Sequence, residues 1–305
     1  MAFSVRPSDG GIVTSDHSDM VRCRKIESQD FGAVIELLCE GFPRRSKTYW
    51  IDALRRLEAF PVCEGLPRYG HLMETSNAVV GAILVLSAPI LVGGIKTIRR
   101  NVSSWYVRPQ FRLYGPFLAR AAEGPPATYI NIDPDPPTWP MIEAHGFQRF
   151  ADGVIACVPA FNFRSERARI MPFREVIGTD HRLSTEALQI LRDHEEFGCI
   201  SLCSQISLTC YPFVFRRRRL RSYLPPCGEL IYCRNIADFE RFSGPLGRYL
   251  ALRGIPWVIF GANGPLRGLP GWYFAGKLPA YFKGATAPGL GDLAYTEAAI
   301  FNDYA

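Results

Sequence analysis

Long apolar runs are missing from this 305-residue chain. The most apolar stretch, Ala78 to Val92, spans 15 residues and is interrupted by Gly81, Ser87 and Pro89. That is short of the roughly 20 residues a membrane-spanning helix needs, which excludes a spanning segment. An export signal is missing as well. The first 20 residues carry Asp9, Asp16 and Asp19 around no apolar centre, so they read as a mobile leader rather than a signal peptide or an anchor. A strong charge of one sign is also lacking. Lys and Arg total 35 against 29 Asp and Glu, a net +6. Before Pro159 there are 17 basic and 16 acidic residues, and after it 18 and 13. The surplus therefore sits in one run, Arg216–Arg219, which excludes a globally basic nucleic-acid binder but leaves a local basic patch open. Paired metal ligands are absent from the pattern. The nine cysteines (23, 39, 63, 157, 199, 203, 210, 227 and 233) are odd in number and irregular in spacing. Cys199-x3-Cys203 and Cys227-x5-Cys233 have no CxxC pair and no histidine cluster, which argues against zinc. Buried, reduced thiols of a cytoplasmic protein are the expectation. The five histidines form no Ser/His/Asp arrangement.

What the chain does have is apolar content for a large core, 48% hydrophobic and 12% aromatic, enough for one large domain or two ordinary ones. Val21–Ile26 suits a first strand. Phe31, Val34, Ile35, Leu38 and Cys39 follow at helical spacing until Gly41-Phe42-Pro43, and Ser46 can cap a second helix with Trp50, Ala53, Leu54 and Leu57 on one face. From His71 to Ser87 the pattern is β, with a turn at Ser76-Asn77, and another strand is expected over Val102–Val107. Then come a loop, a helix from about Gly115 to Ala122, a strand at Ala127–Ile132, a short helix from Thr138 to His145 closed by Gly146-Phe147, and a strand. This alternation predicts an α+β fold with a mixed sheet. The junction of Val102–Val107 with the helix at Gly115 is expected to present free backbone N–H groups and a positive helix end, a seat for a pyrophosphate.

The segment Val107-Arg-Pro-Gln-Phe-Arg-Leu-Tyr-Gly-Pro-Phe-Leu-Ala resembles the acyl-CoA-binding motif of the GNAT N-acyltransferase superfamily, V-x-P-x-[YF]-[QR]-x-x-G-x-[GA]. Val107, Pro109, Phe111, Arg112 and Gly115 fall on its positions. Ala127–Ile132 and Trp139–Phe147 resemble the family's next strand and its helix ending in Gly-Phe. The resemblance covers roughly Val21 to Val158. It implies an acyl-CoA as co-substrate, acetyl-CoA or a longer one, held by Val107, Arg112, Leu113, Tyr114, Gly115 and Phe117, with direct attack by an amine of a small molecule or peptide. The sequence departs from the motif where Phe117 replaces its last small residue, Leu113 its usual Gly, and Pro116 contributes no N–H. The tyrosine that serves many members as general acid corresponds to Ile142.

The second half repeats the plan. A helix is expected over Ser184–Phe197, strands over Cys199–Phe215 and Cys227–Cys233, then Arg241-Phe-Ser-Gly244-Pro-Leu opening a helix, and a strand over Ile255–Phe260. Arg112-Leu-Tyr-Gly115-Pro and Arg241-Phe-Ser-Gly244-Pro share R-x-x-G-P in matching context. The expectation is two GNAT-like folds in tandem, 21–159 and a diverged 160–305, each a mixed, mostly antiparallel twisted sheet flanked by helices. The chain end is expected to form a loop near Tyr281–Gly284 and a final strand over Asp292–Phe301. Tyr295 and Glu297 on that strand could serve as an acid/base pair, or as the outward positions of an exposed edge. His145 reads as a helix-end residue. The general acid and base cannot be assigned from sequence. The leading functional expectation is an acyl-CoA-dependent N-acyltransferase without nucleic acid, metal or membrane. The alternatives are a non-catalytic ligand-binding tandem protein and a Fem-like aminoacyl-tRNA-dependent transferase, whose tRNA would meet Arg216–Arg219. The acyl-transfer reading requires a V-shaped gap between the strand ending at Val107 and the strand Ala127–Ile132.

Overall fold

The computed structural model describes residues 21–92, 94–176, 183–220 and 223–301; the expected leader over residues 1–20 lies outside them. In chain order, strand β1 (Arg22–Lys25) leads to helices α1 (Phe31–Gly41) and α2 (Lys47–Glu58). Strands β2 (Gly70–Glu74), β3 (Val79–Val92) and β4 (Ile95–Val107) follow, then α3 (Gly115–Ala122), β5 (Thr128–Ile132), α4 (Trp139–Ala144) and β6 (Gln148–Cys157). The second half runs β7 (Arg169–Pro172), α5 (Phe173–Val176), α6 (Thr185–Glu196), β8 (Ile200–Ile206), β9 (Thr209–Arg218) and β10 (Cys227–Cys233). It ends with α7 (Ile236–Ala251), β11 (Trp257–Ala262), β12 (Gly271–Lys283) and α8 (Glu297–Ile300).

Local chemistry accounts for the helices. The Ser46 hydroxyl accepts the Tyr49 N–H at 3.1 Å and starts α2, as its spacing predicts. Ser184 does the same for α6 through the Ala187 N–H. One face of α2 is buried through Trp50, Ala53, Leu54 and Leu57, each large side chain contributing about 2 kcal/mol of apolar burial. No helix among the described residues is long and apolar enough to cross a membrane. All nine cysteines are free thiols, seven of them buried.

Among the described residues, all twelve strands join one sheet in the order β1-β2-β3-β4-β5-β12-β6-β11-β10-β9-β8-β7. Read inward from either edge, five strands of one half are followed by the sixth strand of the other. β12 lies between β5 and β6, and β6 lies between β12 and β11. The two parallel pairs, β4/β5 and β10/β11, occupy matching places, and every other pair is antiparallel. The largest core cluster draws on both halves, with Leu54 and Leu57 of α2 packed among Leu191, Ala298 and Ile300. A second cluster holds Phe239, Phe242, Leu246 and Leu250 of α7 against β9, β10 and β11.

Three expectations are corrected. The loop expected near Tyr281–Gly284 is strand over Tyr281–Lys283, the end of β12, because these residues pair with Tyr129–Asn131 of β5. Asp292–Phe301 is not a strand. It is a loop and the short α8, and its residues are largely buried because they pack beneath α2 and α6 rather than on an edge. Arg241 does not open a helix either. Asn235, two residues after β10 ends, caps α7 with its side chain accepting the Ala237 N–H, so Gly244-Pro245 sits inside the helix.

Candidate functional site

The long strand β4 organises the site. It pairs with β5 only from Arg99 to Asn101, opposite Thr128 to Ile130, although both strands continue, β4 to Val107 and β5 to Ile132. The two strands therefore part after Asn101, leaving the V-shaped gap that the sequence reading required. A register shift between Ala82 and Leu84 on β3 places an extra residue on β4, and Ser104 there adopts φ +47°. Such a bulge turns a strand away from its neighbour. Among the described residues no strand pairs with the β5 side of Ser103–Val107, so its amides and carbonyls remain available.

The gap opens into a cleft of about 1160 Å³ lined by both halves. Its walls include Ser103, Trp105, Tyr106 and Val107 of β4, Tyr49 of α2, Asp133 after β5, Arg216 and Arg218 of β9, Glu229 of β10, and Glu297 of α8. Of the six residues expected to hold a cofactor, Val107, Arg112 and Gly115 line the cleft. Leu113 is 90% exposed and Phe117 64%, and Tyr114 is exposed beside Phe117 with rings 6.3 Å apart. The expected free amides at the start of α3 are not all free. Pro109–Tyr114 winds into a 3-10 turn that runs straight into α3, and the Gly115 N–H is bonded to the Arg112 carbonyl. Pro116 has no N–H to add. Arg44, Arg45 and Arg112 line the same cleft.

The equivalent gap in the second half is closed. β10 pairs with β11 only over Cys227–Glu229, and the freed edge beyond it is taken by the segment Gly291–Leu293. The Leu293 N–H donates to Ile231 O at 2.8 Å and the Cys233 N–H to Gly291 O at 2.9 Å, with Tyr232 and Asp292 bridged. Gly291 has φ +79°, and a Cβ there would lie 2.7 Å from Cys233 Sγ, so only glycine fits. One open gap remains, in the first half.

The same C-terminal segment then crosses to β4. Arg99, Asn101 and Ser103 alternate along β4 and so share one face. Arg99, 4% exposed, binds both carboxylate oxygens of Asp292 at 2.8 and 2.7 Å and donates to Ala294 O at 2.9 Å. Asn101 Oδ1 accepts the Glu297 N–H at 2.7 Å, and the Ser103 hydroxyl donates to Glu297 Oε2. Tyr295 is directed elsewhere, its hydroxyl donating to Asp193 and its N–H to His194 Nε2. Tyr295 and Glu297 thus do not act as a pair, and neither lies on an exposed strand.

The arginine run divides by strand alternation. Arg216 and Arg218 turn into the cleft and bind Glu229, Arg216 at 2.6 Å and Arg218 at 2.9 Å. Arg218 also stands 3.9 Å from Asp133. Half of the run is therefore cleft wall rather than surface patch. Desolvation pushes the Asp133 carboxyl up to about 6 against the opposing pull of Arg218, and pushes Glu297 up to about 7 although Ser103 and Arg216 oppose it. Burial and the Arg216 and Arg218 charges act oppositely on Glu229, and the arginines win, so it stays below the usual carboxylate range. His145 ends α4 with Nδ1 2.8 Å from Met141 O, as expected, and Ile142 is buried. Asp133, Arg99, Asn101 and Ser103 are not among the expected site residues; for the last three the alternation of polar residues along β4 was the available signal.

No family model and no curated protein matches the chain by sequence. Solved structures do match its shape. A conserved Enterococcus faecalis protein of unknown function, a candidate N-acyltransferase, superposes with TM-score 0.53 at 11% identity, over 86% of this chain and 72% of that one. A GCN5-related N-acetyltransferase of Kribbella flavida gives 0.50 at 12% identity, over 87% and 71%. A candidate acetyltransferase of Pyrococcus horikoshii gives 0.50 at 12% identity, over 95% of this chain and 100% of its own. At such identities the likeness shows the fold, which is that of the GCN5-related N-acetyltransferases.

Proposed function

We propose that the protein is an acyl-CoA-dependent N-acyltransferase that passes an acetyl or longer acyl group to an amine of a small molecule or peptide, with one working site, in its first half. The observation that carries this is the parting of β4 from β5 after Asn101, which leaves a strand edge unpaired inside a large cleft. A pantetheine arm bears two amides and needs an extended, unsatisfied backbone edge to bind, which Ser103–Val107 offers. The phosphates of the co-substrate would meet the guanidinium groups of Arg44, Arg45 and Arg112, since the start of α3 has few amides to give. When bound, the co-substrate supplies an activated thioester. The unpaired amides of β4 would bind its carbonyl oxygen as charge develops there, and the cleft walls of both halves would hold the amine. The halves 21–159 and 160–305 are read as two GNAT-like repeats with exchanged sixth strands, the second closed by Gly291–Leu293.

Isothermal titration with acetyl-CoA, octanoyl-CoA, palmitoyl-CoA and free CoA tests this, followed by thiol release across a panel of primary amines and lysine peptides. The expected result is one binding site per chain and amine-dependent thiol release. Failure of every CoA species to bind overturns the proposal, and binding without transfer to any amine removes its catalytic part. Trp105→Gly, which widens the gap without charging it, is expected to weaken binding severalfold.

A further inference from the structure

We infer that Glu297, carried into the first-half cleft by the C-terminal segment, is the group that takes the proton from the attacking amine. This inference rests on the acyl-transfer reading and assigns to Glu297 alone, without Tyr295, a proton-accepting role at the first-half gap.

The geometry is specific. Glu297 is the first residue of α8, and its N–H is fixed by Asn101 Oδ1 while Oε2 accepts from Ser103. Both donors and acceptors come from β4 at the point where it leaves β5. Oε1 accepts no hydrogen bond from the described residues, and Glu297 lines the cleft. The carboxylate is thus held from one side and open on the other, beside the strand edge where a thioester carbonyl would lie.

Among the described residues no arginine hydrogen-bonds to this carboxylate. Arg216 is spent on Glu229 Oε2, at 3.2 and 2.6 Å, and on Phe301 O at 2.7 Å. Arg218 is spent on Glu229 and faces Asp133, and Arg99 is spent on Asp292 and Ala294 O. From β4, Glu297 receives two neutral groups, the Ser103 hydroxyl and the Asn101 side chain, both of which favour the carboxylate. The charges that reach it are Arg216, which favours the carboxylate, and Asp133, which opposes it. From α2 the neighbouring aromatic is Tyr49, packed on Phe301. The result is a carboxyl pushed up to about 7, suited to taking a proton near neutrality.

The step balances. The amine nitrogen forms a bond to the thioester carbonyl carbon, one N–H proton passes to Glu297 Oε1, and the carbon–sulfur bond breaks with its electron pair leaving on the CoA sulfur. Glu297 then gives the proton to that thiolate, leaving amide, free CoA thiol and the original carboxylate.

The delivering segment is anchored before it arrives. Gly291–Leu293 fills the second-half gap and Arg99 grips Asp292. Closing one gap therefore places the proton acceptor in the other, and Ser103 is a positioning residue in this arrangement.

The test uses the full chain. Glutamate side chains labelled with 13C are titrated by NMR, and one carboxyl with a midpoint near 7 is expected in the wild type and absent in Glu297→Gln. Thiol release with the best amine of the panel is expected to fall about a hundredfold or more in Glu297→Gln, with acetyl-CoA affinity within twofold. The limb of log(kcat/KM) near pH 7 should vanish, while any limb due to the amine itself stays. Ser103→Ala should move that limb to higher pH, because the lost hydrogen bond stabilised the charged form. If Glu297→Gln fails to fold, Glu297→Asp is expected to keep the limb at reduced rate. No glutamate titrating above pH 6, or an unchanged limb and rate in Glu297→Gln, overturns the assignment while acyl-CoA binding still stands. Loss of acyl-CoA binding in the wild type overturns the functional reading instead.

Discussion

His194 is fully buried, with Nδ1 2.8 Å from Ile190 O and Nε2 accepting the Tyr295 N–H at 3.1 Å. Those partners require a neutral ring with its proton on Nδ1, and burial pushes its pKa down to about 4. The unfolded chain, with histidine near 6.5, binds the proton first. Stability from this group is therefore present above pH 6.5 and is lost as pH falls through 4. Glu297 and Asp133, pushed up to about 7 and 6, act oppositely, since their folded forms hold protons better and their contribution is lost as pH rises through those values. A comparison of variants separates the two. His194→Gln, whose side-chain oxygen can still accept the Tyr295 N–H, should lose less of its urea midpoint than wild type between pH 7 and pH 4. Equal losses would show that His194 does not titrate on unfolding. Arg99 makes a second residue-scale case. Arg99→Ala leaves Asp292 and Ala294 O without their donor and is expected to cost about 3 kcal/mol, read from urea unfolding. Arg99→Met with Asp292→Leu should recover most of it. None of this was visible from composition. Arg99 and Asn101 precede the strand expected over Val102–Val107, and nothing local reveals that β4 begins at Ile95 or that a segment nearly 200 residues away covers this face.

Elements were more legible where one stretch decides its own structure. The Ser46 and Ser184 caps, the apolar faces of α1 and α2, and the strands around the first gap follow from local pattern, whereas the gap itself was implied only by the family resemblance of Val107–Gly115. The shared R-x-x-G-P did not mean the same thing twice. In the first half it ends a 3-10 turn and starts α3. In the second it lies inside α7, where Pro245 removes the amide that would bond to Arg241 O. The Glu166 N–H takes that carbonyl at 2.8 Å, and the Arg241 side chain pairs with Glu166. The adjoining Gly244 and Gly247 let α7 press on the chain after β6, where a Cβ at Gly247 would collide with the backbone of Pro159 and Ala160. The second copy of the motif is thus a docking device between a helix and the chain crossing from one half to the other. Gly247→Ala is expected to destabilise by about 2 kcal/mol despite the gain in helix propensity, measured by thermal unfolding. Stabilisation would mean the two segments can part at no cost.

At the scale of the molecule, β12 and β6 decide how the chain behaves. β12 went unread because Gly276 and Pro279 interrupt it; residues 276–279 bulge between its two paired stretches. Its place between β5 and β6 could not be inferred from neighbours in sequence, since its partners are over 100 residues away. With each half lending its sixth strand to the other, and one core shared by α2, α6 and α8, neither half owns a complete sheet. Chains of this length commonly unfold through intermediates. Here the exchange ties the two halves together, so variants keeping only Trp50 or only Trp257 should report the same urea midpoint. Fragments 1–159 and 160–305 should each lack a cooperative transition alone and regain one when mixed. The cleft makes the same demand, because Ser103 and Tyr49 come from one half and Arg216, Glu229 and Glu297 from the other. Acyl-CoA binding should therefore return with the mixed transition and not before it. Binding by the first fragment alone would show that the gap between β4 and β5 forms without the exchanged strand, and would separate the site from the architecture that both halves build.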